Sequence, residues 1–492
     1  MAARYFLNIG ANWGDTANWS DTSGGAGGFS VPTSSDDVFF DNNSGNCTVN
    51  ASNRACLSIN FTNYSNNINF AFNITSSGNI TLSASMTFSG SGTLICNATA
   101  TLTSNGKAIN IPLTLTGSTV TFTLADNWTT QALLTLNGST TTNIINGNNI
   151  YIEGNLTHGS GRVEGTTNII FQGTTTWTNS AGNELRNNVT FNTSGTITLS
   201  GNIRYAGGTM TWSSGTIVST GATVSFQSFS SGINTTIDLN GLILDNVLLA
   251  GASLTHTINS PFSVRVLLTI GGTNNSYVIN GNRINVLGSM SVQNGFVTTG
   301  STDIYILGTG TISSTGLSSL ALNIYIEANG IVTFGNTFCH GGTAGKVLEY
   351  RRGIIRTQRT NLSLFVCTLI NIHHILFNSV TIIGAITITM DKFFSGSPYF
   401  PCRVRNSIAG TRYSIALTSG IQELAFYVMV SDCQVTTGTL LICTTNGNKG
   451  NNIGVEYINQ LPNGFAQNQP NVKTTQMFPG LMSDPSVVRT IN

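Results

Sequence analysis

Asn149-Ile150-Tyr151-Ile152-Glu153-Gly154 is followed 19 residues later by Asn168-Ile169-Ile170-Phe171-Gln172-Gly173, and after 20 more by Asn188-Val189-Thr190-Phe191. A second ladder sets Asp303-Ile304-Tyr305-Ile306-Leu307-Gly308 20 residues before Asn323-Ile324-Tyr325-Ile326-Glu327-Ala328. An Asn-Gly turn leading into an alternating strand recurs at Asn105-Gly106, Asn146-Gly147 and Asn280-Gly281. A repeat near 20 residues holds two or three short strands with their turns, which is one coil of a β-solenoid. A single coil cannot bury its inward side chains. Stacked coils enclose a column of Ile, Val, Leu and Phe and turn Thr, Ser and Asn outward, the pattern of Gly195-Thr196-Ile197-Thr198-Leu199-Ser200. Sandwiches and Ig-like domains also set short strands between turns, but they do not repeat one strand type at a fixed interval. The expected fold is all-β, a parallel β-solenoid (β-helix) with about 20 residues per coil.

Composition agrees with that reading. Of the 492 residues 40% are hydrophobic but only 8% are charged, against roughly a quarter in ordinary domains. Disordered chains combine low hydrophobicity with high charge, so this chain is expected to fold. Asn, Thr, Ser and 54 Gly carry the polar share; they suit strands and tight turns. The frequent Asn-x-Thr triplets, at Asn73, Asn79 and Asn155 for example, are what such a composition produces by chance. The eight cysteines include no CxxC pair, and most alternate with apolar residues. They read as buried, reduced thiols. The opening residues lack the apolar core of a signal peptide, and no apolar run approaches the roughly 18 residues of a membrane span. The sequence thus predicts synthesis in a reducing cytoplasm and no membrane insertion.

Charge divides the chain. Residues 1–345 carry a net charge of −5 and residues 346–492 a net of +6. Five cations fall within 346–359, among them Arg351, Arg352, Arg356 and Arg359. Such a segment can blunt strand pairing, or it can dock an acidic neighbour. Near residue 390 the rhythm changes. The expected organisation is an N-terminal cap region over 1–45, a solenoid over 46–390, a small β module over 391–457 and an extended arm over 458–492.

The first 45 residues contain, in order, Asn12-Trp13, Asn18-Trp19-Ser20, Gly24-Gly25-Ala26-Gly27-Gly28, Val31-Pro32-Thr33 and Asp36-Asp37-Val38-Phe39-Phe40-Asp41. This series resembles the opening of a family of repetitive β-rich structural and appendage proteins of tailed bacteriophages. Val430-Ser431-Asp432 and Gly450-Asn451-Asn452-Ile453-Gly454-Val455 resemble the close of the same family's repetitive region. Phe6 stands where the family usually carries Trp, and Val455 where it carries an aromatic residue. The resemblance implies a virion component with no catalytic residues to carry over. Read from the residues alone, Trp13, Trp19, Phe39 and Phe40 supply the apolar cover that a solenoid end needs. Exposed, Trp13 or Trp19 would instead offer a stacking face to a glycan.

Catalysis on a solenoid needs carboxylates converging at coil spacing on one face. Glu153 meets Gln172 one coil on, Glu327 follows Leu307, and Glu153 and Glu164 are half a coil apart. His158, His256 and His340 are isolated, and His373-His374 point to opposite faces of a strand. Asp41-Asn42-Asn43-Ser44-Gly45 has a calcium-loop look without the closing Glu, since Ser52 stands at its place. No enzyme, metal, cofactor or nucleic-acid site is expected. The function expected is that of a phage virion component: a fibre, spike or capsid-surface appendage, homo-oligomeric with a trimer favoured. It would contact other virion proteins and host surface glycans. The alternatives are a bacterial surface adhesin and a glycan-depolymerising tailspike.

Overall fold

The structure, a computed structural model, describes residues 2–334 except for 139–141, 180–182, 229, 231, 252–253, 272–276, 294–296 and 315–318, together with separate strands between Leu348 and Thr490. The described residues form a parallel β-solenoid with coils about 21 residues apart. Among them the only helical element is a 3-10 turn at Thr16–Asn18. The chain divides into two compact units, one of residues 1–248 and 254–261, the other of 249–253 and 262–492.

In the first unit each coil contributes strands to three columns. One column sets Ile74, Leu94, Leu113, Leu134, Leu156, Trp177 and Leu199 in direct register. A second runs Trp128, Ile150, Ile169, Val189, Met210, Ile237, Ile258. All fourteen side chains are buried. The 149, 168 and 188 motifs therefore stack as their spacing predicts. One residue along the first column, Thr114, Thr135, Thr157 and Thr178 stand in register as an outer row. Thr suits that row because its branched side chain fits the pleat and its hydroxyl needs no charge to stay solvated.

Where strands end, asparagine takes over the ladder. Asn168 Nδ2 donates to Asn149 Oδ1, and Asn188 Nδ2 to Asn168 Oδ1, both at 3.0 Å. Elsewhere the amide oxygen accepts a backbone N–H from the next coil: Thr93 N–H to Asn73, Thr101 N–H to Asn79 and Thr176 N–H to Asn155, all 2.8 Å. An amide both donates and accepts, so it serves the coil below and the coil above. The asparagines of the triplets thus close corners between coils.

The cap is built from the opening motif. Ala3–Phe6 pairs parallel with Asp37–Phe39 and antiparallel with Trp19–Ser20, and Asp37–Phe39 pairs in turn with Ser58–Asn60 of the first full coil. Over the end of the column Trp13 meets Trp19 edge-on at 5.0 Å, Phe6 meets Trp19 at 5.2 Å, and Phe40 stacks on Phe61 at 4.9 Å. Trp19 Nε1 donates to the Trp13 carbonyl at 2.7 Å. Thr33 and Asp36 close a turn, with the Asp36 carboxylate accepting from the Thr33 N–H and hydroxyl at 2.9 and 2.8 Å.

The second unit repeats the plan. Phe262, Ile284, Ile304, Ile324 and Leu348 stand in register, and Asp303 pairs with Asn323 as the second ladder predicts. Parallel pairing runs on across residue 390: Val380 pairs with Val404 and Val404 with Val430, while Ile388 pairs with Ile415 and Leu424 with Leu441. The spacing there ranges from 15 to 27 residues. Beyond Ile458 only Thr475–Gln476 and Arg489–Thr490 of the arm are described, as an antiparallel pair.

The Gly closing the first two motifs of the first ladder answers to stacking, not to turn conformation. A Cβ on Gly173 would fall on the carbonyl of Glu153 one coil below, and one on Gly154 on that of Ala132. Gly106, by contrast, has φ +77° and open space around it. Gly173→Ala should therefore cost about 3 kcal/mol, since the coils must part. Gly106→Ala should cost about 1 kcal/mol for its left-handed backbone. Urea unfolding of the two variants gives the order; a costlier Gly106→Ala would refute coil spacing as the constraint.

Candidate functional site

Three of the eight Lys and Arg in residues 1–345 lie on one column of the first unit. Arg162 pairs in register with Glu184, and Leu185 with Tyr205, which sets Arg204 one coil beyond Glu184. Arg186 lies between two carboxylates: its Nε donates to Glu184 Oε1 at 2.6 Å and its Nη1 to Glu164 Oε2 at 3.1 Å. Glu184 is fully buried, whereas the Glu164 side chain is 32% exposed. Burial pushes the Arg204 guanidinium below its ordinary value, and the charge of Glu184 opposes that shift.

Ser228, Ser230 and residues 232–234 return over this column as a strap. Ser228 Oγ donates to Glu184 Oε1 at 2.8 Å and accepts from Arg186 Nη2 at 3.0 Å. Ser230 Oγ accepts from Arg162 Nη2 at 3.0 Å, a bond spanning 68 residues of chain. The strap thus reaches back about three coils. Beside it opens a cleft of about 480 Å³ lined by Ile144, Glu164, Gly165, Arg186, Gly207, Gly232, Ile233 and Asn234.

The interior beneath is polar as well. Asn143, His158, Asn179, Asn183 and Asn187 are all buried in these same coils. Asn183 Nδ2 donates to the Gly159 carbonyl at 2.5 Å, and Asn187 Nδ2 to the Thr167 carbonyl at 3.0 Å. Burial lowers His158 to about 4; the Gly161 backbone and Glu184 oppose that only in part.

The residues named from sequence fall elsewhere. Trp13 and Trp19 are each 0% exposed, so neither offers a ring face to a glycan in this structure. Arg351, Arg352 and Arg356 lie on the strand Leu348–Thr357, where Arg352 is in register with Glu327 and Arg356 with Thr333. Their side chains, and Arg359 altogether, lie outside the described residues, as do His340, His373 and His374. Glu153 accepts a hydrogen bond from Gln131 Nε2 at 3.0 Å on another face. Asp41 caps its own turn, Oδ1 accepting the Asn43 N–H at 2.8 Å. Among the described residues no three His, Cys, Asp or Glu gather as a metal site, and no helix is long and apolar enough to cross a membrane. Cys47, Cys56 and Cys96 are free and buried; burial raises the thiols, to about 12 for Cys56 and Cys96.

The charged column was within reach of the sequence. Arg162, Glu184 and Arg204 follow at 22 and 20 residues, and Glu164 and Arg186 at 22. The motif ladders lie on a different column, so a search for aligned acids started from them passes it by. Comparison with protein families, with curated proteins and with solved structures finds no match to the chain.

Two outcomes follow from these contacts. Arg186→Ala takes from buried Glu184 its 2.6 Å ion pair and should cost about 3–5 kcal/mol. Glu184→Leu combined with Arg186→Leu should cost much less, as thermal melts of both would show. The second outcome concerns pH. Unfolded His158 takes up a proton near its ordinary 6.5, whereas the folded residue does so only near 4. Between those values the unfolded chain binds more protons, so stability falls as pH drops from 6.5 to 4 and then levels off. The loss attributable to His158 should reach about 3 kcal/mol, and His158→Gln should flatten that part of the profile.

Proposed function

We propose that the chain is a structural component of a tailed-phage particle, a fibre, spike or capsid-surface appendage with an adhesive role. The observation that carries the reading is the N-terminal cap, in which the residues of the phage-like opening motif close the end of a stacked-coil column. Trp13, Trp19 and Phe40 form its apolar cover, and Thr33 and Asp36 fasten its turn. Backbone ladders, asparagine corners and threonine rows add stiffness and solubility without charge, properties a particle appendage needs. The cleft presents one accessible carboxylate, Glu164, rather than the pair that hydrolysis of a glycosidic bond requires, which favours adhesion over depolymerisation. Self-association, with three copies favoured, and docking through Arg351, Arg352, Arg356 and Arg359 belong to the same proposal.

The test is location. Mass spectrometry and immunogold labelling of purified particles should find the chain at a fixed copy number and one site. Changing the four arginines to Ser should lower incorporation, most at high salt where the remaining attraction is screened. A chain absent from particles and recovered from the bacterial envelope would overturn the proposal in favour of a surface adhesin.

A further inference from the structure

We propose that the cleft walled by Gly232, Ile233 and Asn234 of the strap binds an uncharged, hydroxyl-rich ligand of the size of one to three pyranose rings. This deepens the adhesive part of the function above and rests on it for the biological partner, though not for the chemistry. The volume of about 480 Å³ falls in the range of roughly 300–1,000 Å³ usual for ligand sites.

The lining decides the class. Ile144 and Ile233 give apolar walls, Asn234 is exposed and offers both a donor and an acceptor, and Glu164 offers carboxylate oxygen. An anion entering the cleft meets Glu164, and a cation meets Arg186, whose Nη1 lies 3.1 Å from that carboxylate. A neutral polyol meets neither penalty. Its hydroxyls can donate to Glu164, accept from Asn234 or Arg186, and set a C–H face against isoleucine. The lining is also held in place. Three Arg186 nitrogens are fixed by Glu164, Glu184 and Ser228, and Ser228 by Glu184, so the carboxylate at the mouth is positioned before a ligand arrives.

The strap makes the cleft. Gly232, Ile233 and Asn234 come from it, while Ile144, Glu164 and Arg186 come from three successive coils. A regular stack of coils has flat faces, and here the returning segment supplies a wall.

The experiment uses the full chain and saturation-transfer NMR. The probes are methyl glycosides of glucose, galactose, mannose and N-acetylglucosamine, with trisaccharides of each. At least one probe should give transfer with a dissociation constant on the order of 1 mM. Glu164→Gln should weaken it roughly tenfold, and Asn234→Trp, which sets an indole over the opening from an exposed position, should abolish it. Both variants should melt like the unaltered chain; if Asn234→Trp does not, Ile144→Trp blocks the opposite wall. Sulfate should not compete. No transfer from any probe, transfer that survives the blocked cleft, or displacement by sulfate would each overturn the proposal. Particles carrying Asn234→Trp should assemble normally. Sugar binding by a chain absent from particles would refute the particle reading alone.

Discussion

The coil-to-coil hydrogen bond governs this protein. Parallel strands in successive coils lie about 4.8 Å apart, so every side chain has its counterpart directly above and below. A position can be filled only by what tolerates a near-copy of itself at that distance. Aliphatic residues do, and the seven-deep column from Ile74 to Leu199 is the result. Asparagine does because its amide donates one way and accepts the other, as Asn149, Asn168 and Asn188 demonstrate. Where the backbone of one coil runs over a carbonyl of the last, as at Gly173, no side chain fits at all.

The same constraint explains why charge is scarce. Two like charges at coil spacing repel by about 3–4 kcal/mol at an effective dielectric near 20. A stacked position repeated along many coils cannot bear that, so the polar surface is amide and hydroxyl. Where charges do follow one another in successive coils they alternate in sign, as Arg162, Glu184 and Arg204 do. The 8% charged share follows from the stacking and needs no functional cause.

How much of this was legible depends on whether the coil length stays constant. Motifs at 149, 168, 188, 303 and 323 declare the register because 19 or 20 residues separate them. After residue 380 parallel pairing persists with spacings of 15 to 27 residues, which look like an end to the repeat. The aromatic cap was readable because large apolar residues between Gly-rich turns have few other uses. The strap was not. Ser228 and Ser230 are ordinary turn residues in sequence, and only the fold carries them back over 42 and 68 residues to Arg186 and Arg162.

Ion pairs and buried amides are costly in a core that could be wholly aliphatic, because replacing them with packed apolar residues is often neutral or favourable. Outside coils 143 to 187 the described interior of the first unit is mostly aliphatic and aromatic. Its buried polar groups there are chiefly small hydroxyls such as Ser76, Ser104 and Ser225, with Asp245 and His256 among the larger exceptions. Coils 143 to 187 differ, with Asn143, His158, Asn179, Asn183 and Asn187 inside, and with Glu164, Glu184 and Arg186 alongside. These are also the coils on which the strap lands and the cleft opens. A departure from local consistency concentrated at one place is characteristic of sites held for something other than stability. The buried polar groups also give the strap a partner that aliphatic coils could not, since Ser228 is tied to the coils through Glu184 and Arg186. The irregular coils and the returning segment are therefore joined through Ser228 and Ser230, which meet Glu184, Arg186 and Arg162.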